Sequence, residues 1–96
     1  MKHLVKSKIP IFFIKEHDSF IAYSPIIDLS SFGKSMEEAK KNFQEALGIF
    51  IEECIKMGTL NDVLESCGWV KVRNNQWEPP LCVGEDRISL PKLAPA

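Results

Sequence analysis

Phe20-Ile21-Ala22-Tyr23-Ser24-Pro25-Ile26-Ile27-Asp28-Leu29-Ser30-Ser31-Phe32-Gly33-Lys34-Ser35-Met36-Glu37-Glu38-Ala39 decides the fold. It opens with an apolar, aromatic run that reads as a strand, stops at Pro25, crosses a polar loop containing Gly33 and enters a helix. Ser35 with Glu38 three residues later is a capping box, in which hydroxyl and carboxylate each satisfy an amide that the first helical turn leaves without an acceptor. Met36, Ala39, Phe43, Ala46, Leu47, Phe50, Cys54 and Met57 then recur at helical spacing and form one apolar stripe. Glu37, Lys41, Gln44, Glu45, Glu52 and Lys56 line the outside, with Glu37–Lys41 and Glu52–Lys56 in the favourable i,i+4 order. Gly58 offers a left-handed stop. A helix of this kind is held by what its stripe docks against, here the strands that precede it.

Upstream, Ile9-Pro10-Ile11-Phe12-Phe13-Ile14 reads as a first strand, with Pro10 confined to its start or to a sheet edge because it has no N–H to donate. Glu16-His17-Asp18-Ser19 is a polar turn. Closing the hairpin symmetrically sets Lys15 opposite Phe20, Ile14 opposite Ile21, Phe13 opposite Ala22 and Phe12 opposite Tyr23. Side chains alternate between the faces of a strand, so Ile9, Ile11, Phe13, Phe20 and Ala22 share one face. Phe12, Ile14, Ile21 and Tyr23 share the other. Both faces are apolar, and one helical layer covers one of them. The uncovered face shows either Phe12, Ile14, Ile21 and Tyr23 or the larger alternate set; with the first set outward, those four residues are expected to be an oligomer interface or to meet some other cover, the C-terminal segment or a different protein.

Downstream, Thr59 caps a short second helix in which Leu60, Val63, Leu64 and Cys67 share a face, and Gly68 ends it. Trp69 to Arg73 and Gln76 to Glu78 read as a second hairpin around Asn74-Asn75, with Val72 facing Trp77 and Lys71 facing Glu78. Residues 1–80 thus make up one α+β domain. Residues 81–96, with Pro91 and Pro95, form an extended segment or tail in which Val83 to Leu90 could add a strand.

Bulk properties narrow the function. The 96 residues are 45% hydrophobic and 26% charged, ordinary for a single globular domain. A formal net charge of −1 provides no field for nucleic acid, so a DNA-binding repressor lacks its basic stripe. Lys2, Lys6 and Lys8 read as solubilising residues beside an edge strand rather than phosphate contacts. No apolar run is long enough to cross a membrane, and the N-terminus lacks the plan of a secretory signal. Cys54, Cys67 and Cys82, with His3 and His17 far from them, lack metal-ligand spacing and read as free thiols in a reducing, cytoplasmic setting. Asp18, Asp28, Asp62 and Asp86 are too scattered to converge on divalent metals, so neither catalysis nor a cofactor is expected.

The segment Tyr23-x-Pro25, followed by Leu29, Gly33 and then Ser35-x-x-Glu38-Ala39, resembles the core of the HicB-like antitoxin family over roughly residues 9 to 57. The resemblance implies an antiparallel three-to-four-stranded sheet packed by one long helix plus a short second helix, a truncated ribonuclease-H-like layout that forms dimers or higher oligomers. It further implies a protein-binding domain that neutralises a small basic HicA-type ribonuclease toxin by steric masking. On that reading Tyr23, Pro25, Asp28, Leu29, Ser31 and Gly33 are the partner-binding residues. Taken residue by residue, Pro25 reads as a strand terminator, Asp28 as a turn residue and Gly33 as a source of backbone freedom before the helix. Two departures stand out: Ser30-Ser31-Phe32 replaces the family's Gly-Cys, and residues 70–96 leave no room for a C-terminal DNA-binding segment. The alternative is a stand-alone oligomeric regulator or DNA-binding repressor without a toxin partner.

Overall fold

The computed structural model describes residues 8–73 and 76–92. β1 (Phe12–Glu16) and β2 (Ser19–Ser24) pair antiparallel across a two-residue turn in which His17 takes φ 55°. Their register is the one drawn from the sequence, Lys15 to Phe20, Ile14 to Ile21, Phe13 to Ala22 and Phe12 to Tyr23. Ile9 and Ile11 precede β1 instead of belonging to it, yet both pack against the core.

Leu29–Gly33 is a third strand, β3, where the sequence reads as a loop. It pairs antiparallel with the free edge of β2 to give the order β1-β2-β3. The reason for the difference lies in the pattern of Leu29-Ser30-Ser31-Phe32-Gly33. Its aromatic residue faces away from the core and a serine and a glycine face inward, so no amphipathic signal marks the strand. Hydrogen bonds from β2, a tertiary effect, decide it.

The helix α1 (Met36–Met57) begins as the capping box requires, with the Ser35 hydroxyl accepting from the Glu38 N–H at 3.1 Å. The Glu38 carboxylate reaches one residue further back than the ideal motif and accepts from the Lys34 N–H at 2.6 Å. Small residues stand where α1 meets the sheet: Ala22 and Ala39 are fully buried, and Gly33 is buried against the first turn of α1. A Cβ on Gly33 would stand 2.6 Å from the Ala39 nitrogen and 2.9 Å from the Glu38 carbonyl carbon. This glycine therefore serves close approach of helix and sheet; its φ lies outside the left-handed region, so backbone freedom is not its role. Phe43 and Cys54 continue the buried stripe, with Leu47, Phe50 and Ile51 half-buried beside them, while the stripe's end residues Met36 and Met57 are exposed. Gly58 ends the helix at φ 71°. Among the described residues the ion pair on this helix joins Lys56 to Glu53 at 3.9 Å, one residue away from the Glu52 pairing that the spacing suggests.

α2 (Leu60–Ser66) buries Leu60 and Leu64, with Val63 and Cys67 half-buried. Thr59 does not cap it through its side chain; its hydroxyl turns back to the Cys54 carbonyl at 3.5 Å. Gly68, at φ 87°, releases the chain into β4 (Val70–Arg73), which pairs with β5 (Gln76–Glu78) as a separate two-stranded sheet. The larger sheet therefore has three strands. In the second hairpin Lys71 faces Trp77 and Val70 faces Glu78, one residue off the pairing read from sequence, and an irregularity between Lys71 and Arg73 absorbs the shift. Trp77 is 4% exposed. Its indole N–H finds no hydrogen-bond partner among the described residues, and nothing in the structure explains the one-residue shift. The Asn74-Asn75 turn, with Lys2, Lys6 and His3, lies outside the described residues. Residues 79–92 form neither helix nor strand, so Val83–Leu90 adds no strand to either sheet. No helix among the described residues is long and apolar enough to cross a membrane.

Candidate protein-docking surface

With α1 on one side of the three-stranded sheet, the other side is open. The register stacks two rows across it: Phe12, Tyr23 and Ser30 in one, Ile14, Ile21 and Phe32 in the next. Directly opposed side chains lie within contact distance of one another, so each row is a continuous strip. Phe12, Ile14 and Phe32 are 43, 49 and 68% exposed, and Tyr23 and Ile21 are half-buried among them. The described C-terminal residues do not supply a cover, because every residue from 81 to 92 is itself exposed. Apolar patches of a few hundred Å² on a small domain mark interaction sites.

The β2–β3 turn bounds this face. Ile26 and Ile27 are 6 and 4% exposed and anchor the turn in the core. The buried Ser24 hydroxyl accepts from the Ile26 N–H at 3.3 Å, and the Trp69 indole N–H donates to the Ile26 carbonyl at 2.9 Å across 43 residues of sequence. Held this way, the turn projects Pro25 and Asp28, both exposed. Asp28 sits at φ 53°, a left-handed conformation that Asp tolerates, and its carboxylate accepts from the Tyr23 hydroxyl at 3.1 Å. That hydrogen bond, followed by burial and by the carboxylate's charge, raises the Tyr23 pKa above its ordinary value. Burial, and then the same Asp28 charge, push the Cys67 thiol up as well. The turn thus presents a fixed acidic corner next to an apolar strip.

The six residues that the sequence singles out for partner binding divide between two faces. Tyr23, Pro25 and Asp28 meet at the open face and its turn. Leu29, Ser31 and Gly33 point to the helical side, half-buried or buried, and Gly33 is sealed under the first turn of α1. Phe32 is the residue that sequence reasoning missed. Its signal was present, an aromatic side chain two residues from Ser30 and opposite Ile21, but it is visible only once β3 is recognised as a strand. The Phe32 carbonyl accepts from the Asn42 side-chain amide at 2.8 Å, which ties β3 to α1 at the outer edge of the sheet.

The described residues contain no group of three or more His, Cys, Asp or Glu side chains placed to hold a metal ion. Compared with known proteins, the chain matches no family model, no curated protein and no solved structure.

Proposed function

We propose that this chain is a HicB-like antitoxin, a non-catalytic domain that masks a small basic ribonuclease toxin. The observation that carries the reading is the open apolar face, Phe12, Ile14, Ile21, Tyr23 and Phe32, set against the acidic corner of Asp28. A toxin that grips RNA needs a basic cleft, and an apolar strip flanked by a carboxylate suits the wall and rim of such a cleft. The Tyr23-to-Ala39 sequence pattern supports the same class of partner. Masking is steric: the sheet face and the β2–β3 turn occupy the surface where RNA would lie, and no group on this chain needs to react.

The test is co-expression with a small basic reading frame encoded beside the gene. Growth arrest by that protein alone, relieved by this chain but not by its Ile21→Asp variant, supports the proposal. Arrest that this chain leaves unrelieved, or relief that the Ile21→Asp variant retains in full, refutes it. Should this chain cover the open face with a second copy of itself, the wild type would lose its oligomer on the same substitution with no toxin present.

A further inference from the structure

A second apolar surface lies on the helical side of the molecule. A groove of about 560 Å³ runs along the C-terminal half of α1, and Ile27, Leu47, Gly48, Ile51, Glu52 and Trp69 are among its lining residues. Gly48 is an anomaly there. It stands in the interior of a 22-residue helix, where glycine is markedly less favourable than alanine. A Cβ at this position would meet no atom within 4 Å, and no left-handed φ calls for glycine. Nothing in the described part of this copy explains the residue. A helix glycine facing open space lets another backbone come close.

The same chain carries an apolar stretch with nowhere to bury it. Leu81, Val83, Ile88 and Leu90 are 81, 92, 90 and 83% exposed on a segment with no helix or strand. Its root is held, since Pro79 and Pro80 are half-buried and Pro80 lies beside Gly68. Two successive prolines stiffen the exit and carry the arm outward.

We propose that the arm of one copy seats Ile88 and Leu90 in the Gly48 groove of a second copy, and that the exchange is reciprocal. The dimensions agree. The groove follows α1 from Gln44 to Ile55, about 16 Å at about 1.5 Å per residue, which is the span of about five extended residues, the length of Arg87–Pro91. In an extended segment Ile88 and Leu90 face the same way, with Ser89 on the far side. A two-fold axis lets each copy give one arm and receive one, which closes the assembly. The exchange engages the helical side and leaves the open sheet face free, so it stands or falls apart from the proposed antitoxin role.

Sedimentation of the 96-residue chain over a wide concentration range tests this, with the variants Gly48→Leu and Ile88→Asp/Leu90→Asp. The wild type is expected to show a concentration-dependent monomer–dimer equilibrium. Each variant is expected to weaken dimerisation by at least about 100-fold, as loss of central anchors does. Gly48→Leu fills the groove while favouring the helix, so its melting temperature at monomer concentrations is expected to equal or exceed that of the wild type; the loss of dimer then cannot be put down to unfolding. A wild type that stays monomeric throughout overturns the proposal and places the arm on its own chain or in solvent. So does a dimer indifferent to both variants, which would assign assembly to another surface such as the open sheet face.

Discussion

Substituting alanine for glycine at two places in this chain should move stability in opposite directions. At Gly33 the new methyl group would lie 2.6 Å from the Ala39 backbone nitrogen and 2.9 Å from the Glu38 carbonyl carbon and Cβ. Two of these neighbours are backbone atoms in the first turn of α1, so no side chain can swing aside. The helix N-terminus has to lift from β3, straining the Ser35 cap and the Asn42 bond to the Phe32 carbonyl. Overpacking of this kind costs about 1–3 kcal/mol, against a gain of about 0.4–1 kcal/mol from a less flexible unfolded chain. Mid-range values leave a net loss of about 1.3 kcal/mol, and for a domain of this size each kcal/mol lowers Tm by about 4–8 °C. At Gly48 the methyl group meets nothing within 4 Å, so Gly48→Ala should gain up to about 1 kcal/mol from helix propensity alone. Thermal unfolding of both variants, followed by far-ultraviolet circular dichroism at dilute, monomeric concentration, provides the comparison. A Gly33→Ala protein that melts at or above the wild-type temperature would refute the close-approach account of that position.

Two further outcomes follow from the site. Tyr23 is the chain's single tyrosine, so its near-ultraviolet phenolate absorbance reports that residue alone; its midpoint should lie above the ordinary value of about 10 and fall in Asp28→Ala, because the hydrogen bond to Asp28 is the leading cause of the shift. Since the folded pKa is raised, the stability linked to this contact is fully present below the unfolded value and is lost as pH rises through the folded one; stability of Asp28→Ala that falls as steeply as the wild type's over that alkaline window would contradict the assignment. Trp69→Phe removes the donor to the buried Ile26 carbonyl, at a cost of about 1–3 kcal/mol; an unchanged urea midpoint would show that the turn is anchored by other means.

Much of this architecture was legible because local chemistry and tertiary packing agree over residues 12–24 and 35–58. The β1–β2 register follows from a short polar turn and two apolar runs of matching length, and the α1 boundaries follow from Ser35, Glu38 and Gly58. Disagreement between the two levels accounts for what was missed. In β3, Ser31 and Gly33 face inward and Phe32 outward, the reverse of the usual pattern, because the closeness of α1 leaves room only for small side chains. At the second hairpin the sequence offered an attractive Lys71–Glu78 pair, but an irregularity between Lys71 and Arg73, which no local pattern marks, sets the register one residue away. The site was legible in part for the same reason. Phe12, Ile14, Ile21 and Tyr23 could be placed on one face from the hairpin alone, whereas Phe32 required β3, and Leu29, Ser31 and Gly33 could be turned inward only once β3 was in place.

The claim on which the functional account depends is that the open sheet face is where a protein partner binds. Calorimetric titration of the proposed toxin, a small basic protein sought beside the gene, into the wild type and into Ile14→Asp/Phe32→Asp tests it most directly, because both side chains are already exposed and the substitutions leave the core untouched. The account predicts at least about a 100-fold rise in Kd, equivalent to about 2.7 kcal/mol, with the circular dichroism spectrum unchanged. A Kd within about threefold of the wild type, well under 1.4 kcal/mol, would contradict it.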